Sequence, residues 1–287
     1  MTRGSRAGKM RGVTHLGLIR SLWLAAFTVG VVTVALVLRV ILDFPSPFNG
    51  YDVYAYWIVD SAHPYSGLVA PAKGAFLYSP PFAYLFDPLG ALPFDVLRTG
   101  WGIAQGAVLV AMTGPLAAVI VLTPPVRYEL TTGNVSLFMA AAIVLARRYP
   151  AAWAFPILSK ATPIVGLAWY AGRRDWRGLA IASGFTAAIV AASVLVDANL
   201  WAEWFEVLRR NAGVETEVSL GPLWLRLPLA VGACYLAGRR DWAWVVPIAV
   251  VLSLGHVWWA TLCIALAAIP LWWLGPDDRA EHVGWRR

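Results

Sequence analysis

SLWLAAFTVGVVTVALVLRVIL, residues 21–42, decides the fold class. An α-helix rises 1.5 Å per residue, so ~20 apolar residues cross the ~30 Å of bilayer hydrocarbon. This run is long enough and carries a single charge, Arg39, near its far end, where a long side chain snorkels to the interface. It is too long for the apolar core of a signal peptide and contains no small-residue cleavage site, so it reads as a retained first span. Arg3, Arg6, Lys9, Arg11 and Arg20 precede it and place the N-terminus in the cytoplasm.

The composition extends this reading to the whole chain. Of 287 residues, 59% are hydrophobic and 14% charged, against ~45–50% and ~25% in a typical soluble domain. There is too little polar surface to cover a soluble globule, and too much apolar material for disorder. The expectation is an all-α, polytopic integral membrane helical bundle forming one domain over residues 1–287. Cys234 and Cys263 both lie inside apolar runs and imply no disulfide framework.

Alternating sides along the chain gives a path of about 8–10 helices. Residues 43–77 form a large outer loop rich in Tyr and Pro. Residues 78–93 read as a second span entered through Tyr78-Ser79-Pro80-Pro81, with Arg98 in a tight inner turn. Residues 100–122 cross outward, and 123–133 form an outer loop carrying Arg127 and Glu129. Residues 134–146 then return to Arg147 and Arg148. The stretch 150–171 is bounded by arginines at both ends, so both ends belong inside, yet it is too short to cross twice. A broken hairpin hinged at residues 159–163 satisfies both constraints, and broken backbone at this depth requires burial in protein or a cavity. Residues 178–196 go out, 197–220 form another outer loop, and 222–237 return. Residues 245–274 read as a second hairpin breaking near residues 253–256, followed by a cytoplasmic tail, 275–287.

Several polar residues stand out against this apolar background. Asp52 opens GYDVYAYW, where it suits either a helix cap or a general base at the membrane surface. Asn134 similarly suits a cap or a site. Lys160 is the most telling, because a lysine at membrane depth costs at least ~2.5 kcal/mol and faces a partner or a cavity. It sits beside a helix start with Pro163 in the first turn, an arrangement suited to an anion. His256 suits either packing or a site. Arg127, Arg209, Arg210 and Arg226 are outer-side cations able to meet phosphate. No phosphate loop, dinucleotide fingerprint, nucleophile elbow or His/Cys metal cluster occurs, so neither metal nor cofactor is expected. A transporter using its broken hairpins as a binding site stays open as the alternative.

An ordered set of motifs resembles glycosyltransferase family 87, the polyprenyl-phosphate-mannose-dependent mannosyltransferases of GT-C architecture. The matching pieces are DVYAYW (52–57), HPYSG (63–67), FLYSPPFAYLFDPLGALP (76–93), GNVSLF (133–138), KATP (160–163) and VSLGPLWLRLP (218–228). The resemblance implies a GT-C-type fold and an inverting hexosyltransferase. Its partners would be a polyprenyl-phosphate-linked sugar donor, a lipid or glycan acceptor and membrane lipids. It maps the family's catalytic Asp onto Asp52. Tyr54 and Tyr78 would line the sugar pocket, with Asn134, Lys160, Arg127 and His256 as further binding residues. This chain is shorter than the family pattern, which leaves an inactive paralogue as a further alternative.

The net charge of +7 then reads as a topology signal. Most of the basic residues fall in segments assigned to the cytoplasm, so no nucleic-acid partner is expected.

Overall fold

In the computed structural model the described residues are 5–44, 46–65 and 67–275, with side chains from residue 18 onward. The expectations for Arg3, Arg6, Lys9 and Arg11 and for the tail beyond residue 275 lie outside the described side chains. Every regular element among the described residues is helical, and they pack around one apolar cluster running from Val34 to Leu271. Among the described residues three helices are long and apolar enough to cross a membrane: Leu18–Asp43, Phe94–Ile120 and Trp176–Val196. Pro124–Thr132 and Ser136–Ala146 make a fourth if read as one span, bent by 107°.

The first two spans meet along a seam of small residues. A Cβ at Gly106 would lie 2.8 Å from Leu38 Cδ1, and one at Gly30 would lie 3.3 Å from the Gly114 carbonyl oxygen. Between helices in lipid, close packing of this kind replaces the hydrophobic drive available in water. A tighter seam joins Ala168–Arg173 to Leu223–Arg240. There a Cβ on Gly172 would fall 2.1 Å from the Tyr235 carbonyl oxygen, and one on Gly238 would fall 2.2 Å from that of Trp169. The two backbones touch, and only glycine fits at either position.

Both expected hairpins are broken within the apolar runs. Helix Ala154–Lys160 ends at Ala161, which has φ 57° and ψ −59°, and the chain resumes as a 3-10 turn, Thr162–Leu167. A non-glycine residue there is strained and is held by its surroundings. Helix Val245–Ser253 stops at Leu254, and the chain continues as the 3-10 helix Trp259–Ala267.

The structure corrects four expectations about the path. Residues 78–93 are not a span. They form the seven-residue helix Pro80–Phe86 and a 3-10 turn, Asp87–Ala91. At 1.5 Å per residue such a helix covers roughly 10 Å, far short of a bilayer. Trp57 Nε1 donates to the Leu92 carbonyl at 2.8 Å, and the Ser61 hydroxyl donates to Asp87, so this segment belongs to the loop before it. Arg98 accordingly leaves the inner turn assigned to it. Its Nη2 donates to the Leu42 carbonyl at 3.1 Å, at the Asp43 end of the first span.

Residues 123–133 are likewise a helix rather than a loop, and they carry Glu129 into full burial. Residues 197–220 contain the amphipathic helix Asn199–Asn211, which buries Leu200, Trp204, Val207 and Asn211 along one face. Trp204 Nε1 donates to the Leu77 carbonyl, and Asn211 Oδ1 accepts from Ala70 N at 2.8 Å. That helix therefore clamps the long loop from above.

Candidate functional site

Gly50 starts the site. Its φ of 65° suits glycine, and its N–H donates to the Thr131 carbonyl at 2.7 Å. This contact pins the start of helix Tyr51–Ile58 against the end of Pro124–Thr132. Two residues further on, Gly133 has φ 76° and closes that helix in the left-handed conformation. A side chain there would collide with Val53, since a Cβ would lie 2.1 Å from Val53 Cγ2. Backbone shape and lack of a side chain together let the short helix rest on the 107° bend.

This approach brings Asp52 to Asn134. Asn134 Nδ2 donates to Asp52 Oδ2 at 3.0 Å. The orientation of the amide is fixed by its other end, where Oδ1 accepts from Val135 N and from the Ser136 hydroxyl, both at 2.9 Å. The cap reading does not describe Asp52, because Gly50 holds the position before the helix and no side chain caps it. Asn134 does satisfy local donors at the start of Ser136–Ala146, and it spends its NH2 on the carboxylate.

Asp52 is half-buried. Burial pushes its carboxyl above the usual aspartate range, while the Asn134 hydrogen bond and the Lys160 charge pull it partway back. Lys160 reaches the same region from the broken hairpin. Its ammonium lies over the Tyr78 ring, 5.2 Å from the centroid, a cation–π contact. Tyr78 OH in turn shares a 2.8 Å hydrogen bond with Tyr56 OH. Ser79 donates to the Leu158 carbonyl at 2.6 Å and ties the loop to the Lys160 helix. The acid and the amine therefore feel each other's charge beside a hydrogen-bonded tyrosine pair.

Of the residues expected at the site, Asp52, Asn134, Tyr78 and Lys160 come together. Tyr54 does not join them. Two residues along a helix is about 200°, so Tyr54 points away from Asp52 and packs on Trp57, Phe94 and Lys73. Tyr56, one turn after Asp52, takes the place facing Tyr78. Arg127 is exposed on Pro124–Thr132, on a different face from buried Glu129. His256 lies at the second hairpin break, where its Nε2 donates to the Asn211 carbonyl at 2.7 Å and senses the Lys160 charge. Arg226 is not a free cation for phosphate. It is buried, and its guanidinium donates to the carbonyls of Gly221, Leu252 and Leu254.

Two further residues complete the cluster and were missed: Gln105 and Glu129, both fully buried. Gln105 Nε2 donates to the Asn134 carbonyl at 2.7 Å and to Glu129 Oε1 at 3.2 Å. Glu129 Oε1 also accepts from Leu137 N at 2.9 Å. A glutamine inside an otherwise apolar span was the available signal. Among the described residues no group of three His, Cys, Asp or Glu side chains gathers as a metal site.

An apolar groove of about 460 Å³ opens along the residues that follow Lys160 in the chain, lined by Ala161, Thr162, Ile164, Val165, Ala168, Leu227 and Val231. With the long apolar helices, the half-buried acid paired to its amide and the nearby amine, these features define a helical membrane protein with a polar cluster built into its apolar body. The chain belongs to glycosyltransferase family 87, whose sequence model matches residues 76–284. It is a glycosyltransferase. The match begins after Asp52, so the carboxylate comes from the stretch preceding it, while Asn134 and Lys160 lie within it. Neither a curated protein nor a solved structure matches the chain.

Proposed function

We propose that the chain transfers mannose from a polyprenyl-phosphate donor to a lipid or glycan acceptor, with inversion, at the outer face of the cell membrane. It would do so as a single multi-pass domain with both termini in the cytoplasm. The observation that carries this reading is a half-buried Asp52 carboxylate, oriented by Asn134 and within charge reach of Lys160. A direct displacement needs one base and one cation. Asp52 takes the proton from the acceptor hydroxyl as that oxygen attacks the anomeric carbon. The bond from that carbon to the phosphate oxygen breaks, and Lys160 stabilises the charge left on the phosphate. Tyr56 and Tyr78, buried and hydrogen-bonded to each other, back the site and hold Lys160 in place.

The apolar groove that starts at Ala161, the residue after Lys160, supports a lipid-borne donor, because it offers an isoprenoid tail an apolar bed. The test is mannosyl transfer in membranes carrying radiolabelled polyprenyl-phosphate-mannose, comparing wild type with Asp52→Asn. Loss of a general base lowers the rate by roughly 10²–10⁴-fold. Equal activity in the two would sink the base assignment, and transfer from a nucleotide sugar alone would sink the donor.

A further inference from the structure

We infer that Glu129 is a positioning residue, held as a neutral carboxylic acid against Gln105, which locks the Gly133 bend and so aims Asn134 at Asp52. The inference rests on the reading of Asp52 as the base.

Hydrogen-bond accounting leads to it. Glu129 is 0% exposed, and no cation is paired with it among the described residues. Its Oε1 is satisfied twice, by Leu137 N and Gln105 Nε2, whereas its Oε2 is buried without a partner. Gln105 has the complementary defect: Nε2 is fully used and Oε1 is buried without a partner. Two unpaired acceptors on two groups that already share a hydrogen bond are rare in a folded interior. A proton on Glu129 Oε2 makes that oxygen a donor and lets the acid pair with the amide through both arms. The charged form would instead leave a bare carboxylate in an apolar interior.

The pair sits where it governs the site. Glu129 lies before the 107° bend and holds Leu137 N after it. Gln105 reaches across from the span Phe94–Ile120 and holds the carbonyl of Asn134 itself. Neither is hydrogen-bonded to Asp52, and with Glu129 neutral their effect on the base runs through the angle at which Asn134 presents its amide. Displacements of about 1 Å at that distance from the chemistry change rates by roughly 100-fold.

The test uses the full-length protein in detergent. Glu129→Ala and Gln105→Leu are expected to lower kcat roughly 100-fold with little change in donor KM, and Glu129→Gln, neutral and of the same shape, to restore most of the loss. In Gln105→Leu the acid limb of the pH profile should also move to higher pH, because Asp52 loses a well-aimed hydrogen bond to its charged form. Infrared spectroscopy of the purified protein should show the carbonyl stretch of a protonated carboxylic acid, lost in Glu129→Gln and kept in Asp52→Asn. Glu129→Gln as damaging as Glu129→Ala would overturn the inference, and so would absence of that band in wild type. The infrared result needs no turnover, so it decides the state of Glu129 even if Asp52→Asn proves active and the base assignment falls.

Discussion

A Cβ on Gly133 would lie 2.1 Å from Cγ2 of Val53, although the two residues are 80 positions apart in the chain. The helix that carries Asp52 rests directly on the bend that carries Asn134, with nothing between them. Gly133→Ala would therefore meet two penalties, an overpacked contact and a left-handed backbone that alanine resists. Together these cost at least ~2 kcal/mol. The expected result is a lowered melting temperature in detergent and loss of transfer activity. A melting temperature equal to that of wild type would mean that the two helices part easily.

Asn134→Ala removes the hydrogen bond to Asp52 Oδ2 and leaves the carboxylate half-buried. A bond to a charged group is worth ~1.5–3 kcal/mol. Since it favours the charged form, its loss raises the Asp52 pKa further. The acid limb of kcat/KM should move up by about one to two pH units. An unmoved limb would detach Asn134 from the titrating group.

In the wild type itself, the base works only when ionised. Activity is full above the Asp52 pKa and lost as pH falls through it. Because burial holds that pKa above the usual aspartate range, the acid limb should lie at higher pH than a free aspartate would give. In Lys160→Gln it should lie higher still, since the ammonium favours the carboxylate. The profile of kcat/KM against pH, measured in both proteins, checks both statements.

Lys160→Gln should also lower kcat by roughly 100-fold, as removal of a charge-stabilising donor does elsewhere. Lys160→Arg should recover part of this, because it keeps the charge but replaces the compact ammonium with a broad planar group. Single-turnover measurement with a preloaded donor separates the chemical step from donor binding. A defect confined to binding would remove Lys160 from the leaving-group side.

Local signals explain which elements were legible. Hydropathy alone marks residues 21–42 and 178–196, and arginines at both ends of 150–171 force a break that falls at Ala161. The short helices Pro80–Phe86, Pro124–Thr132 and Asn199–Asn211 were invisible as such. Residues 78–93 are apolar enough to resemble a span, whereas 123–133 and 197–220 are too short or too polar to do so, and each of the three helices is stabilised by contacts made far along the chain. Arg98 was misplaced because counting cations by side ignores the carbonyl that a guanidinium finds, here that of Leu42. Glu129 looked like a loop acid because its partners, Gln105 and Leu137 N, are set by the bend. The spacing of Asp52 and Tyr56 does put them on one helix face, and that observation alone would have favoured Tyr56 over Tyr54.

The order in which the site's parts leave the ribosome has a consequence of its own. Asp52 is synthesised 82 residues before Asn134 and 108 before Lys160. At ~5–20 residues per second, the acid waits roughly 4–16 s for its amide and longer for its amine. During that time its helix has neither the Gly133 bend to rest on nor a partner for its carboxylate. The carboxylate therefore stays without its amide until Asn134 has been made, and without its amine until Lys160 has. The site is thus completed by its later residues, not by the acid that they serve.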